Sequence, residues 1–250
     1  MAGSLCSEGG VFMKKVLIYG GIALVVIFAL NVFLFLFYNR PPDRALFVEP
    51  VTHFETEEKV VALTFDDGPT KEWTEPLLDL LKVHDVNATF FMIGDNIVEN
   101  EDIARRAVAE GHQAANHTVH HDRMIYKTPW YIKSDLRNMD GILKNIEESD
   151  RTFFRPPYGD KMVVLPWMLK QRDMKLVTWD IDPQEQYAKS YDPDLIVEQI
   201  MADVHPGGII ILHDGRRSDP AAFLHVVEEV VTKLKADGYR FVTVKEGLQL

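Results

Sequence analysis

Four short segments of the chain concentrate side chains suited to hydrolysing a polar bond. The first is Thr64-Phe65-Asp66-Asp67-Gly68-Pro69, directly after the apolar run Val60-Val61-Ala62-Leu63. Two adjacent carboxylates at the end of a buried strand are costly unless they are paired, protonated or bound to a metal. Gly68-Pro69 turns the chain there, which leaves both side chains at a strand's C-terminal mouth, where α/β folds place their chemistry. The second segment is His117-Thr118-Val119-His120-His121. His117 and His121 stand at i and i+4, so on a helical turn they project to one side. Two such imidazoles plus one carboxylate make a common set for a catalytic divalent metal with open positions. The histidine spacing alone says little; joined to Asp66-Asp67 it points to a metal centre. His120 competes for the same role but points in a different direction.

The third segment is Phe153-Phe154-Arg155-Pro156-Pro157-Tyr158-Gly159. Its rigid Pro-Pro turn can hold Arg155 against a carboxylate and present backbone N–H groups. The fourth is Ile209-Ile210-Ile211-Leu212-His213-Asp214-Gly215, which puts His213 at the end of a fully apolar strand. A histidine at a strand mouth beside a metal set is suited to general acid work.

These segments need a scaffold that brings strand ends together. Strand patterns are expected at 60–65, 88–92, 113–116, 151–155, 175–179, 208–212 and 240–244, and helical patterns at 75–84, 102–110, 134–147, 194–204 and 221–237. Regular strand–helix alternation with about seven strands implies parallel pairing in an α/β core, either a barrel or an open sheet.

Val16 to Tyr38 is apolar apart from Asn31, and at about 1.5 Å per residue it spans roughly 34 Å, enough to cross a bilayer core. Lys14-Lys15 precede it, and Tyr38-Asn39-Arg40-Pro41-Pro42 offers no small-residue cleavage site. The expectation is therefore an uncleaved signal-anchor, with residues 1–15 inside the cell and the C-terminal domain outside. Residues 39–57 then form a linker or short stalk before a domain at 58–250. Met13-Lys14-Lys15 reads as a signal-anchor start, and Glu8-Gly9-Gly10 can be encoded by a ribosome-binding stretch, so translation is expected to begin at Met13. The net charge is −11, and residues 1–40 carry three basic and one acidic side chain, so the acidity lies in the domain. An acidic body argues against a nucleic-acid partner. The single cysteine, Cys6, rules out an internal disulfide. Nothing in the sequence fixes an oligomeric state.

Together, in this order and spacing, the four segments resemble the motifs of the polysaccharide deacetylases of carbohydrate esterase family 4, over residues 58–245. The resemblance implies a distorted (β/α) barrel, usually of seven strands. It implies that Asp67, His117 and His121 bind a divalent metal, with zinc the default and cobalt, nickel or manganese admitted. By the same resemblance Asp66 is the general base, Arg155 orients it, and the backbone N–H of Tyr158 stabilises the oxyanion. His213 protonates the departing amine, and Ile211 lines the acetyl pocket beside Pro156. The family usually carries an aspartate–tryptophan pair that tunes the histidine and walls the pocket. Here Glu185 stands at the aspartate and Gln186 at the tryptophan, with Tyr187 next to them. The implied activity is removal of N-acetyl groups from N-acetylglucosamine-type residues of a cell-wall or extracellular glycan. The alternatives are an O-acetyl esterase or a weakly catalytic, membrane-anchored glycan-binding protein.

Overall fold

The computed structural model describes residues 5–146, 152–184, 191–215 and 219–250. Helix α1 (Leu5–Leu34) runs into a π-helical turn, Phe35–Asn39, and the chain then reaches the domain. Seven strands follow: β1 (Val60–Asp66), β2 (Thr89–Met92), β3 (Gln113–Asn116), β4 (Phe153–Phe154), β5 (Lys175–Leu176), β6 (Ile209–His213) and β7 (Arg240–Phe241). All the strand pairings are parallel, in the order β5-β4-β3-β2-β1-β6, and β7 pairs the first two residues of β1. Just beyond β5, Ile181 bridges Ile210 of β6, which curls the sheet back on itself. This is the irregular parallel barrel that the family resemblance implied; alternation alone left an open sheet equally open.

The alternation of side chains across each strand fixes what faces inward. On β1, Val61, Leu63 and Phe65 pack outward into the core shared with helices α2 (Thr74–Val83), α4 (Glu101–Ala109) and α8 (Pro220–Ala236). Val60 and Ala62 face inward with Phe91, Ala115, Phe153 and Ile209. Thr64 and Asp66 share that inner face, so the same period that builds the core aims Asp66 into the barrel. Parallel register then sets Thr64 beside Ile211 and Asp66 beside His213.

Several expectations are corrected. Strands β4 and β5 are two residues long rather than five; Pro156 and Pro157 have no N–H for a ladder and end β4 at once. Arg151 and Glu147, assigned to the ends of a strand and a helix, lie outside the described residues. Helix α5 (Pro129–Ile146) begins at a proline, five positions before the expected Ser134; proline is well suited to a first helical turn. Helices α3 (Gly94–Glu99), α6 (Val164–Gln171) and α9 (Val244–Gly247) were not anticipated, and α7 (Pro193–Asp203) was. The segment 39–57, read as a stalk, is laid against the domain: Val51 bridges Val177, His53 bridges Gly208, and Phe54 is buried.

One core contact carries a pH prediction. The buried His112 accepts a hydrogen bond at Nδ1 from the Ala88 N–H, 3.1 Å away, and burial lowers its pKa to about 4. Its neutral form is the one that fits. Its share of stability is complete above the ordinary histidine pKa of about 6.5 and is lost as pH falls through 6.5 towards 4, a total of about 3 kcal/mol. Unfolding free energies of the wild type and of His112→Asn, measured between pH 7.5 and 4, should converge as pH falls. Parallel pH curves would remove His112 from the account.

Candidate active site and metal centre

The site forms where β1, β3, β4 and β6 end. Beyond Asp66 the chain turns at Asp67 through a left-handed conformation (φ 78°) into a cis Gly68-Pro69 bond. Asn96, on α3, holds this turn by donating to the Asp67 carbonyl at 2.7 Å. A side chain at Gly68 would collide with the Asp214 carboxylate. Asp214 is fully buried, accepts from Thr74 Oγ1 at 2.5 Å, and donates its own N–H to the Asp66 carbonyl at 3.0 Å. Burial pushes its pKa up to about 7. Asp214 and Asn96 thus shape the turn that separates the two carboxylates; neither role was legible without its distant partner.

Asp67 Oδ1 lies 3.0 Å from His121 Nε2 and 3.5 Å from His117 Nε2. One ligand atom from each of the three falls within 4.8 Å of the others. His117 Nδ1–H donates to the Arg155 carbonyl at 2.8 Å. That bond leaves Nε2 with its lone pair facing Asp67, as in metal-binding histidines whose other ring nitrogen donates to a carbonyl and so fixes the ring. Asp67 Oδ1 is buried and accepts no hydrogen bond. Lone pairs and a carboxylate oxygen converging on one point repel unless a cation sits among them, so the donor set fits a divalent metal. Burial works against the Asp67 charge; with no cation among the three groups, N–H donors on the imidazoles take its place and hold the carboxyl well below its usual range.

The histidines do not lie on a helical turn. They sit on an irregular loop with left-handed residues at Thr118 (φ 70°) and His121 (φ 55°). Thr118 N–H donates to Asn116 Oδ1 at 2.8 Å, Val119 N–H to Asp135 Oδ2 at 3.0 Å, and His121 N–H to Thr118 Oγ1 at 3.0 Å. Side-chain caps therefore do what helix periodicity was expected to do. His120 points away, to Asp95 at 2.8 Å, which removes it as a ligand candidate.

Asp66 is held apart from this cluster. Its Oδ1 accepts from Arg155 Nη1 at 2.7 Å, while Oδ2 lies 3.8 Å from His117 Nε2. Arg155 is fully buried. It also donates to Thr64 Oγ1 at 2.9 Å and to the Thr178 carbonyl at 2.8 Å, and stacks 3.9 Å from the centre of the Phe91 ring. Burial lowers its pKa, and the Asp66 carboxylate offsets that by favouring the charged form.

A cavity of about 30 Å³ is lined by Asp66, Asp67, His117 and His121 on one side, and by Pro156, Tyr158, Ile211, His213 and Trp179 on the others. Its volume suits about one water molecule. Every expected site residue among those described lines it, except Arg155, which stands behind Asp66. Glu185 lies outside the described residues, as do Gln186 and Tyr187. Trp179, not singled out from the sequence, supplies an aromatic wall, held by its Nε1–H bond to Asp182 Oδ2 at 3.1 Å.

Residues 53–177 match the family model for polysaccharide deacetylases. The chain belongs to the polysaccharide deacetylase family. It is 33% identical to a peptidoglycan-N-acetylglucosamine deacetylase of Bacillus cereus, over 76% of this chain and 68% of that one. It is 31% identical to the peptidoglycan-N-acetylmuramic acid deacetylase PdaA of Bacillus subtilis, over 83% of this chain and 81% of PdaA. Among solved structures, the Bc1960 peptidoglycan N-acetylglucosamine deacetylase superposes with a TM-score of 0.75 and 29% identity, covering 80% of this chain and 92% of that one. The family match holds both aspartates, both histidines, Arg155 and Tyr158. His213 falls beyond it and reaches the same cavity through the pairing of β6 with β1.

Proposed function

We propose that the protein is a membrane-anchored, divalent-metal-dependent hydrolase that removes N-acetyl groups from N-acetylglucosamine-type sugars of peptidoglycan outside the cytoplasm. The observation that carries this is the division of the paired aspartates. Asp67 faces two imidazole nitrogens, while Asp66 is held 2.7 Å from a buried guanidinium. The matched relatives, whose names specify peptidoglycan deacetylation, support the choice of glycan.

Asp67, His117 and His121 would hold the metal, zinc by the nature of the donors, with cobalt, nickel or manganese admitted. Such a cation lowers the pKa of a bound water and polarises an amide carbonyl. Asp66 accepts the proton of the attacking water, and Arg155 orients its carboxylate. The Tyr158 N–H donates to the oxygen that gains charge. His213, beside Asp66 in the β1–β6 register, protonates the departing amine, which leaves poorly without that proton. Ile211 and Trp179 enclose the acetyl methyl, and Glu185 is assigned to tuning His213.

The anchor is the apolar helix Phe12–Asn39, whose mean hydropathy over its most apolar stretch is 2.6, with none of that stretch covered by the rest of the protein. An uncovered apolar helix of this length matches a bilayer core, and Lys14-Lys15 favour an inside N-terminus.

The test incubates the full chain, in detergent, with acetylated chitooligosaccharides and with peptidoglycan. Acetate and free amine should appear in equal amounts, stop with a chelator and resume with zinc. Acetate without amine would reassign the enzyme to O-acetyl esters. Glycan binding with no acetate from any substrate would overturn the proposal.

A further inference from the structure

The junction between the apolar helix and the barrel is tied into the active-site loop. Asn39, the last residue of the π-helical turn, is only 3% exposed. Its Nδ2 donates to Asp160 Oδ1 at 2.8 Å, and its Oδ1 accepts from the Lys161 N–H at 2.6 Å and the Met162 N–H at 2.9 Å. The next residues repeat the attachment: Lys161 Nζ donates to the Pro41 carbonyl and Thr178 Oγ1 to the Pro42 carbonyl, each at 2.9 Å. A simple tether would leave these groups to water. Here one buried amide has three partners, all on the stretch 160–162.

That stretch continues the 3₁₀ turn Pro157–Gly159, which carries Tyr158. Tyr158 (φ 60°) and Met162 (φ 46°) are both left-handed. Non-glycine residues held this way persist only when their surroundings fix them. From Asn39 the contacts run on without a gap. Asp160 Oδ2 accepts from Arg123 Nη1 at 2.7 Å. The Arg123 guanidinium carbon lies 4.1 Å from the centre of the Tyr158 ring, and that ring lies 4.8 Å from the His121 imidazole. Phe35 and Asn39 also wall a cleft of about 610 Å³ that shares Tyr158, Gly159 and Trp179 with the catalytic cavity.

We infer that Asn39 is a positioning residue for Tyr158 and His121, so that the end of the apolar helix is part of the catalytic unit and not only its attachment to the membrane. This rests on the deacetylase reading given above.

The experiment uses the full chain in detergent micelles or nanodiscs. Asn39→Ala removes all three bonds. The kcat for acetate release should fall about 10-fold, in keeping with the sensitivity of catalysis to small misplacements. Hydrogen exchange at the Lys161 and Met162 amides should accelerate, a change that does not depend on turnover. Asn39→Asp keeps the acceptor but sets a carboxylate against Asp160, and it should lose activity as well. Adding Asp160→Asn restores a donor facing an acceptor and should return turnover to within a few-fold of wild type, as coupled pairs do. Asn31→Ala, on the exposed part of the same helix, should change nothing. If wild type is active and Asn39→Ala matches it in turnover and amide exchange, the inference is overturned. A loss in Asn39→Asp that Asp160→Asn fails to recover overturns it too. A wild-type chain that releases no acetate sinks the deacetylase reading itself, and this inference with it.

Discussion

Asp66→Asn should abolish most turnover while leaving the metal in place, with kcat falling about 10³-fold, the middle of the range for a lost general base. The amide is nearly isosteric, so its oxygen can still accept from Arg155 Nη1, now 2.7 Å from Asp66 Oδ1. What is lost is the charge, and with it the ability to take a proton from water. Zinc uptake should be close to wild type, because Asp67, His117 and His121 make up the donor set without Asp66. Stability should drop by about 3 kcal/mol, since a fully buried guanidinium would lose its anionic partner. Bound metal, turnover and an unfolding curve measured on one preparation separate these effects. Full turnover in the variant would end the proposed division between the aspartates.

Asp67→Ala should do the reverse to the metal: zinc affinity should fall by more than about 100-fold, beyond what loss of an outer-shell partner causes, and activity should fall with it. Calorimetry with zinc gives a readout independent of catalysis. A ligand that binds only the folded state stabilises it by about 2.7 kcal/mol at a hundred times its Kd. Zinc should therefore raise the unfolding midpoint of the wild type and not that of the variant. Removing Asp67 leaves Asp66 paired with Arg155, so the metal-free variant should still fold. Unchanged zinc affinity would place the metal elsewhere.

The strands that carry the chemistry were the most legible elements. β1 and β6 are apolar runs buried on every residue but the last of β6, as strands covered on both faces must be. Their ends were therefore visible as the places where Asp66 and His213 emerge. Helix α6 carries Pro166, a breaker in a helix interior, but here it sits in the first turn, where proline is tolerated. Helix α3 is six residues long and begins at Gly94 with no side-chain cap, so it has no local signal. The i, i+4 spacing of His117 and His121 suggested a helical turn, and the structure brings the two imidazoles together on a loop instead. A loop capped by Asn116 and Asp135 converges the two imidazoles as a helical turn would.

The sequence by itself determined which residue types meet and in what order along the chain: adjacent aspartates after a buried strand, a histidine pair, an arginine before two prolines, and a histidine ending a second buried strand. It also determined the apolar helix, because hydrophobic length is a local property. Only the tertiary structure decided which neighbours each aspartate faces. That depends on a left-handed turn at Asp67, buttressed by Asn96 and Asp214, which points one carboxylate at two imidazoles and leaves the other with Arg155. It also decided that Trp179 walls the cavity and that Asn39 clasps the loop carrying Tyr158. Each of these rests on partners distant in sequence, and only the curled sheet, whose parallel register fixes which residues stand side by side, brings them together.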